Sequence, residues 1–119
     1  MNTDIIKENL RRGTIELLIL SLLKEEEDYA YRLRKKLAER SNGTYEMKEA
    51  TLYPTLYRLT QNGYIEGRKV VSDNAKPRTY YHLTDAGLLY LDALTREYLH
   101  MIASIEQMLH LGSTSQPLP

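Results

Sequence analysis

The sequence predicts a mostly α-helical protein with a small β-hairpin and one long final helix. Three observations predict this class. Apolar residues recur at helical spacing from about Ile15 to Leu59, two β-rich runs follow at Tyr64–Val71 and Arg78–Leu83, and an apolar repeat stepping by three and four spans Leu91–Leu109. The length of 119 residues accommodates one domain with an added helix.

Two helices are predicted in the first forty residues. The first runs from Thr3 to about Lys24, with Thr3 or Asp4 as its N-cap. The apolar residues of Ile15–Leu23 are numerous enough for this helix to be buried on more than one side. Asp28 is expected to cap a second helix, Tyr29 to about Arg40, whose outer face is basic.

The third predicted helix runs from about Glu49 to Asn62, after a short candidate edge strand at Thr44–Met47. Pro54 is expected within the first turn, where its missing N–H and fixed φ are tolerated. Three leucines form the inner stripe: Leu52, Leu56 and Leu59.

The last helix is predicted to run from Thr84, its N-cap, to about Leu111, with Gly112 as its stop. The segment 112–119 is expected to be a disordered tail. The predicted organisation is therefore a domain of residues 1–83, a helix of residues 84–111 and a tail of residues 112–119.

Three short helices followed directly by a two-stranded ribbon form the winged helix-turn-helix plan. In that plan the third helix enters the major groove of DNA, and the ribbon, called the wing, lies along the backbone or minor groove. The outer face of the third helix carries groups that read base edges and grip phosphates, without an acidic residue among them. With basic residues of the second helix and the wing, the candidate DNA contacts are Lys35, Lys36, Thr51, Tyr53, Pro54, Tyr57, Arg58, Gln61, Arg68, Lys69, Lys76 and Arg78.

Two alternatives to DNA contact stay open at this point. The outer face of the third helix is also typical of an ordinary solvated surface, and the basic wing of a solubilising loop. The charge distribution favours DNA weakly, because residues 1–83 hold 15 Lys+Arg and 12 Asp+Glu whereas residues 84–119 hold one and four. Overall neutrality does not exclude DNA binding, which needs local positive charge.

The amino-acid composition limits the cellular compartment in which the protein is expected and the kinds of disulfide and metal site that it can form. The chain has no cysteine, which excludes disulfides and thiolate metal sites and fits a reducing, cytoplasmic location. The apolar run Ile15–Leu23 is interrupted by Glu16 and is too short to span a bilayer, so we expect a buried helix rather than a signal peptide. We expect no membrane partner, no metal and no cofactor.

The final helix predicts a homodimer. At about 1.5 Å per residue, residues 84–111 would extend about 42 Å, further than the preceding 83 residues can cover. A second copy is the economical partner, and it would place two third helices about 34–36 Å apart on a pseudo-palindromic operator. The alternative is a helix packed on the first helix of its own chain. The predicted dimer residues are Leu91, Leu94, Tyr98, Met101, Ile102, Ile105, Met108 and Leu109.

The sequence resembles the PadR family of transcriptional regulators over roughly residues 10–90. The motifs that carry the resemblance are Ala50–Leu59 followed by Asn62–Ile65, Arg78–Gly87, Gly13–Leu20 and Tyr29–Leu33. The resemblance implies a DNA-binding repressor of the compact type, with a single C-terminal dimerisation helix. Two departures are Ala30, where the family usually has Gly, and a wing tip at Asn74–Pro77 that is less rich in Gly and is expected to stiffen and re-aim the wing.

The resemblance also implies that a small aromatic effector could bind between the dimer halves. Tyr90, Tyr98 and Met101, with Met108, could line such a cavity, because Met adapts to many shapes and Tyr offers a stacking face. The relatives that bind such compounds have a tryptophan on this helix, and this chain has none. An ordinary dimer core is therefore the favoured interpretation of these residues.

Catalysis is not indicated by the sequence. His82 is on a predicted strand, His100 and His110 do not face one another on the last helix, and no HExxH, phosphate-binding Gly-rich loop or nucleophile elbow occurs. The alternative from another functional class is a winged-helix adaptor that binds a protein partner without specific DNA binding.

Overall fold

The computed structural model describes residues 2–71, 73 and 76–110. In that part of the chain, five helices and three short strands confirm the mostly α-helical fold with a hairpin wing. Their order and bounds are α1 (Thr3–Arg11), α2 (Ile15–Glu25), β1 (Asp28–Tyr29), α3 (Ala30–Arg40), α4 (Glu49–Gln61), β2 (Ile65–Val70), β3 (Arg78–Leu83) and α5 (Asp85–Leu109).

The prediction of one helix from Thr3 to Lys24 was wrong, because α1 and α2 are separate. The chain turns at Gly13, whose φ of 95° is accessible chiefly to glycine. The N-cap of α1 is also one residue earlier than predicted, since the Asn2 side chain accepts a hydrogen bond from the N–H of Asp4. The apolar periodicity of Ile15–Leu23 therefore belongs to α2 alone.

The sheet has three antiparallel strands in the order β1-β3-β2. Ile65 pairs with Leu83 and Val70 with Arg78, which gives the predicted hairpin. The strand β1 was not predicted, because a strand of two residues is too short to show alternation of apolar and polar side chains. Asp28, which was expected to cap a helix, pairs with Tyr81 in the sheet. The predicted strand Thr44–Met47 was wrong: Tyr45 is held by its backbone N–H to Ser41 Oγ and by its hydroxyl to Thr14.

Pro54 lies one turn deeper in α4 than predicted. The helix begins at Glu49, so Pro54 is beyond the first turn, where it removes the N–H that would bond the carbonyl of Ala50. The helix nevertheless continues to Gln61, because its inner face is held in the core. As predicted, that face contains Leu52, Leu56 and Leu59, all fully buried.

The helix α5 extends far past the core. Thr84 caps it as predicted, accepting a hydrogen bond from the N–H of Gly87 at 3.0 Å. The helix ends at Leu109, with His110 in the left-handed conformation at the C-cap position; the predicted stop Gly112 and the tail 112–119 lie outside the described residues. The molecule measures 65 × 36 × 22 Å, and its radius of gyration of 17.0 Å exceeds the roughly 13–14 Å of a compact chain of this length. None of the described helices is long and apolar enough to cross a membrane.

Candidate nucleic-acid interface

The outer face of α4 is exposed as the sequence predicts. Its inner residues, among them Thr55, are buried, whereas Tyr57 is 67% exposed. Exposed hydroxyl, amide and guanidinium groups can donate to base edges and phosphates. The six predicted contacts of α4 all lie at exposed positions: Thr51, Tyr53, Pro54, Tyr57, Arg58 and Gln61. Their contact with DNA stays a prediction.

Arg58 is held by a carboxylate on α2. Its Nε and one terminal nitrogen each lie 2.9 Å from Oε1 of Glu16, so part of its hydrogen-bonding capacity is used within the chain. The other oxygen of Glu16 accepts a hydrogen bond from the Tyr90 hydroxyl at 3.1 Å, and the Tyr90 ring stacks on Tyr64 at 4.0 Å. Burial, and then the nearby Glu16, raise the pKa of Tyr90. These contacts connect the end of α4 to α5.

The basic face of α3 is largely neutralised by the loop before it. We call Glu25–Asp28, which runs from the last residue of α2 to the first residue of β1, the acidic loop. Glu25 pairs with Arg40 at 2.7 Å, and Glu26 pairs with Arg32 and Lys36. Asp28 is fully buried, and its Oδ2 lies 2.7 Å from the ammonium of Lys36. This oxygen has no further hydrogen bond among the described residues, so the ion pair with Lys36 compensates its buried charge.

This arrangement corrects the expectation for Lys36. Its side chain is only 15% exposed, and the hydrogen bond to Asp28 raises its pKa against the opposing effect of burial. Its charge is therefore committed to the interior rather than free for a phosphate. Lys35, the other predicted contact on this helix, is exposed.

The wing cations differ in their partners. Arg68 on β2 pairs with Glu27 of the acidic loop and lies over the Tyr80 ring, 5.7 Å from its centroid. Arg78 on β3 lies 4.4 Å from the centroid of Tyr29 in a cation–π contact, and it forms no ion pair with a carboxylate of residues 2–71, 73 and 76–110. Lys69 and Lys76 are exposed. The predicted stiffening of the wing tip falls partly on residues 74 and 75, which lie outside the described residues.

A groove between α3, α4 and β3 brings together residues that the sequence did not single out. Its volume is about 510 Å³, and five side-chain hydroxyls and one guanidinium contribute to its lining, from Tyr29, Tyr31, Tyr53, Thr79, Tyr81 and Arg78. We call it the tyrosine groove. Only Tyr53 and Arg78 were predicted; the pairs Tyr29-x-Tyr31 and Tyr80-Tyr81 were the available signal for the others.

The predicted dimer residues fall into two groups. Leu91 is 4% exposed, and Leu94 packs against the same core, so the first turns of the predicted seam are covered by the chain's own α2. This corrects the expectation that Leu91 faces a partner. Tyr98 and Ile102 are half-buried, and the exposed group is Met101, Ile105, Met108 and Leu109. Tyr90, predicted as a ligand contact, is engaged by Glu16 and Tyr64 as described above.

Metal chemistry has no support in this part of the chain. No group of three or more His, Cys, Asp or Glu side chains that could hold a metal ion occurs among residues 2–71, 73 and 76–110.

Known proteins resemble this chain over most of its length. A curated relative, an uncharacterised protein of Lysinibacillus sphaericus, is 35% identical over 95 residues, which cover 79% of this chain and 86% of the relative. Among solved structures, a transcriptional regulator of Clostridium thermocellum is 33% identical with a TM-score of 0.77, covering 83% of this chain and 96% of that one.

A PadR-family transcriptional regulator of Eggerthella lenta has a TM-score of 0.80 at 32% identity, covering 92% of this chain and 96% of that one. The family model described as the transcriptional regulator PadR-like family matches residues 19–93. This span contains α3, α4, the wing and the start of α5, which are the elements of the interface described above. These findings identify a DNA-binding regulator rather than an enzyme. The chain belongs to the PadR-like family of transcriptional regulators.

Proposed function

We propose that this regulator is a repressor that binds a pseudo-palindromic operator as a homodimer. The observation that carries the proposal is the exposed face of α4, which presents Thr51, Tyr57 and Gln61 and lies beside Arg78, a cation that packs on the Tyr29 ring. A dimer bound over an operator excludes other proteins from the same DNA, so we propose repression. Cytoplasmic location follows from the same proposal, since the chromosome is there.

The dimer proposal is supported by apolar side chains that the single chain leaves exposed. The C-terminal half of α5 exposes Met108 at 81%, with Met101, Ile105 and Leu109 beside it. The helix α1 adds Ile5, Ile6 and Leu10, which sequence reasoning did not assign to the interface. Met101, Ile105 and Met108 are spaced by four and three residues, so they share one face of α5, and a second copy is the economical cover for that face.

Selection of binding sites from random DNA, followed by fluorescence anisotropy, tests the proposal. The selected duplex should bind far more tightly than a shuffled duplex of the same composition. If each chain neutralises several phosphates, affinity should fall by about 10³-fold or more between 50 and 200 mM salt. Equal affinity for both duplexes would contradict operator recognition.

A protein-binding adaptor is the second candidate, and one observation favours it. Tyr53 and Tyr57 are exposed on α4, and exposed tyrosines are enriched at protein interfaces. If the chain binds DNA without sequence preference and with little salt dependence, the result would support the adaptor.

The proposal includes release of the operator by a small aromatic effector. Because Tyr90 is engaged within the chain, the effector site would depend on Tyr98 and Met101. A planar cationic dye should therefore bind weakly, and a submicromolar dissociation constant in a fluorescence titration would show that the dimer has a ligand cavity.

A further inference from the structure

The tyrosine groove is open to solvent between the two elements that the proposed function places on DNA. Tyr53 reaches it from α4, and Arg78 lies at its wing side. Tyr31, from the start of α3, is 62% exposed. A DNA strand beside a major groove occupied by α4 would pass between α4 and the wing.

We propose that the tyrosine groove binds one phosphate of the DNA backbone, through the hydroxyls of Tyr31 and Tyr53 and the guanidinium of Arg78. This inference rests on the proposed function, and it assigns Tyr31, which the sequence did not single out, to DNA binding.

The lining suits an anion. Hydroxyls and a guanidinium donate hydrogen bonds, and none of the described residues that line the groove is acidic. The groove that lies between α1 and the loop before α4 differs, since Asp4, Glu8 and Glu46 line it. Backbone phosphates are contacted in proteins by the same donor types, which include Arg, Tyr and Thr side chains.

Within the part of the chain that the structure describes, the side-chain donors at this groove have no hydrogen-bond or ion-pair partner. Burial, with Tyr53 nearby, raises the pKa of Tyr81, so that its hydroxyl stays protonated and can donate. Arg78 is positioned by the Tyr29 ring rather than by a carboxylate, whereas Arg68 is paired with Glu27. In contrast, the hydroxyls of Tyr45 and Tyr90 are used by Thr14 and Glu16 within the chain.

The test combines protein variants with single uncharged phosphates. The selected operator duplex is synthesised with one neutral methylphosphonate at each backbone position in turn, and its affinity is measured for the wild type, Tyr31→Phe and Arg78→Gln. Tyr80→Phe is the matched control, because it removes a hydroxyl from the strand of Arg78 at a residue that does not line the groove, and it keeps the ring that contacts Tyr29. Thermal melting verifies that each variant folds.

The inference predicts one position per half-site at which the methylphosphonate lowers wild-type affinity about tenfold, the size expected for one charge-assisted contact. At that position alone, Tyr31→Phe and Arg78→Gln should cause little further loss of affinity. Tyr80→Phe should have the affinity of the wild type for every duplex. The slope of log affinity against log salt should fall by about one for Arg78→Gln.

Two results on an operator that the wild type prefers would overturn the inference and leave the proposed function intact. One is that the variant and the methylphosphonate lower affinity additively at every position. The other is that Tyr31→Phe and Tyr80→Phe have equal affinities. A wild type that shows no preference for selected DNA would overturn both.

Discussion

Gly87 of α5 packs directly on the backbone carbonyl of Tyr64. A Cβ at Gly87 would lie 2.0 Å from that oxygen and 2.8 Å from a methyl group of Leu83. One turn earlier, Thr84 donates to the carbonyl of Gly63 at 2.6 Å. The contact fixes the direction in which α5 leaves the winged domain, and with it the position of α4 relative to the proposed dimer helix.

Replacing Gly87 by Ala should therefore destabilise the fold. Backbone cannot move aside as a side chain can, so we expect the free energy of unfolding to fall by about 2–3 kcal/mol in urea denaturation. Gly67→Ala is the control: its Cβ would meet the Thr79 methyl at 2.8 Å, and that side chain can shift. Equal losses for the two variants would contradict this interpretation.

The buried Asp28–Lys36 pair predicts a second stability effect. Lys36→Met would leave the Asp28 carboxylate with Arg32 at 3.6 Å as its remaining cation, and breaking a buried pair by removing one partner costs about 3–5 kcal/mol. Lys35→Met, at the adjacent exposed position, should change the unfolding free energy by less than about 0.5 kcal/mol. A Lys36→Met protein as stable as wild type would show that the pair contributes nothing.

Stability should fall in alkaline solution. The pKa values of Tyr81 and Tyr90 are raised above the ordinary 10.0, chiefly by burial, and that of Lys36 above 10.5, chiefly by its hydrogen bond to Asp28. A raised pKa means that the folded state holds the proton more tightly, so this stabilisation is complete below about pH 10 and is lost as the pH rises through the raised values.

Urea denaturation between pH 8 and 11.5 measures this effect, and Tyr90→Phe should show a smaller alkaline loss than wild type. An identical loss in the variant would exclude Tyr90 as a contributor.

The Glu27–Arg68 pair predicts a variant that binds DNA more tightly. Glu27→Gln releases Arg68 and removes a negative charge beside the wing, so the affinity for the selected duplex should rise about two- to fivefold at low salt, the size of a surface pair. Glu39→Gln removes an exposed charge of α3 and serves as the control. Equal gains in both variants would indicate a general charge effect rather than release of Arg68.

Arg58 can be tested in two ways because its partner is known. Arg58→Ala should weaken specific binding by about 1–3 kcal/mol if the guanidinium reads a base. Glu16→Gln keeps Arg58 but breaks the ion pair, and it should preserve or increase affinity. Loss of affinity in Glu16→Gln would show that Arg58 acts through its position on Glu16 rather than through the DNA.

The sequence predicted the elements whose signal is local and periodic. The Leu52, Leu56 and Leu59 stripe, the Thr84 cap and the length of α5 are examples, since each depends on residues within a few turns. What it could not predict depends on distant partners. Arg58 and Glu16 are 42 residues apart, and Arg68 and Glu27 are 41 apart, so no local pattern indicates that these cations are paired. The strand β1 could not be predicted for the same reason, because only its pairing with β3 defines it.

The most direct test of the central claim measures how many chains bind one operator and how the half-sites must be spaced. Sedimentation of the protein with the selected duplex should give two chains per duplex. Insertion of about five base pairs, half a turn of DNA, between the half-sites should abolish the preference for that sequence, because the two α4 helices would then face opposite sides of the helix. One chain per duplex, or binding indifferent to the insertion, would contradict the account.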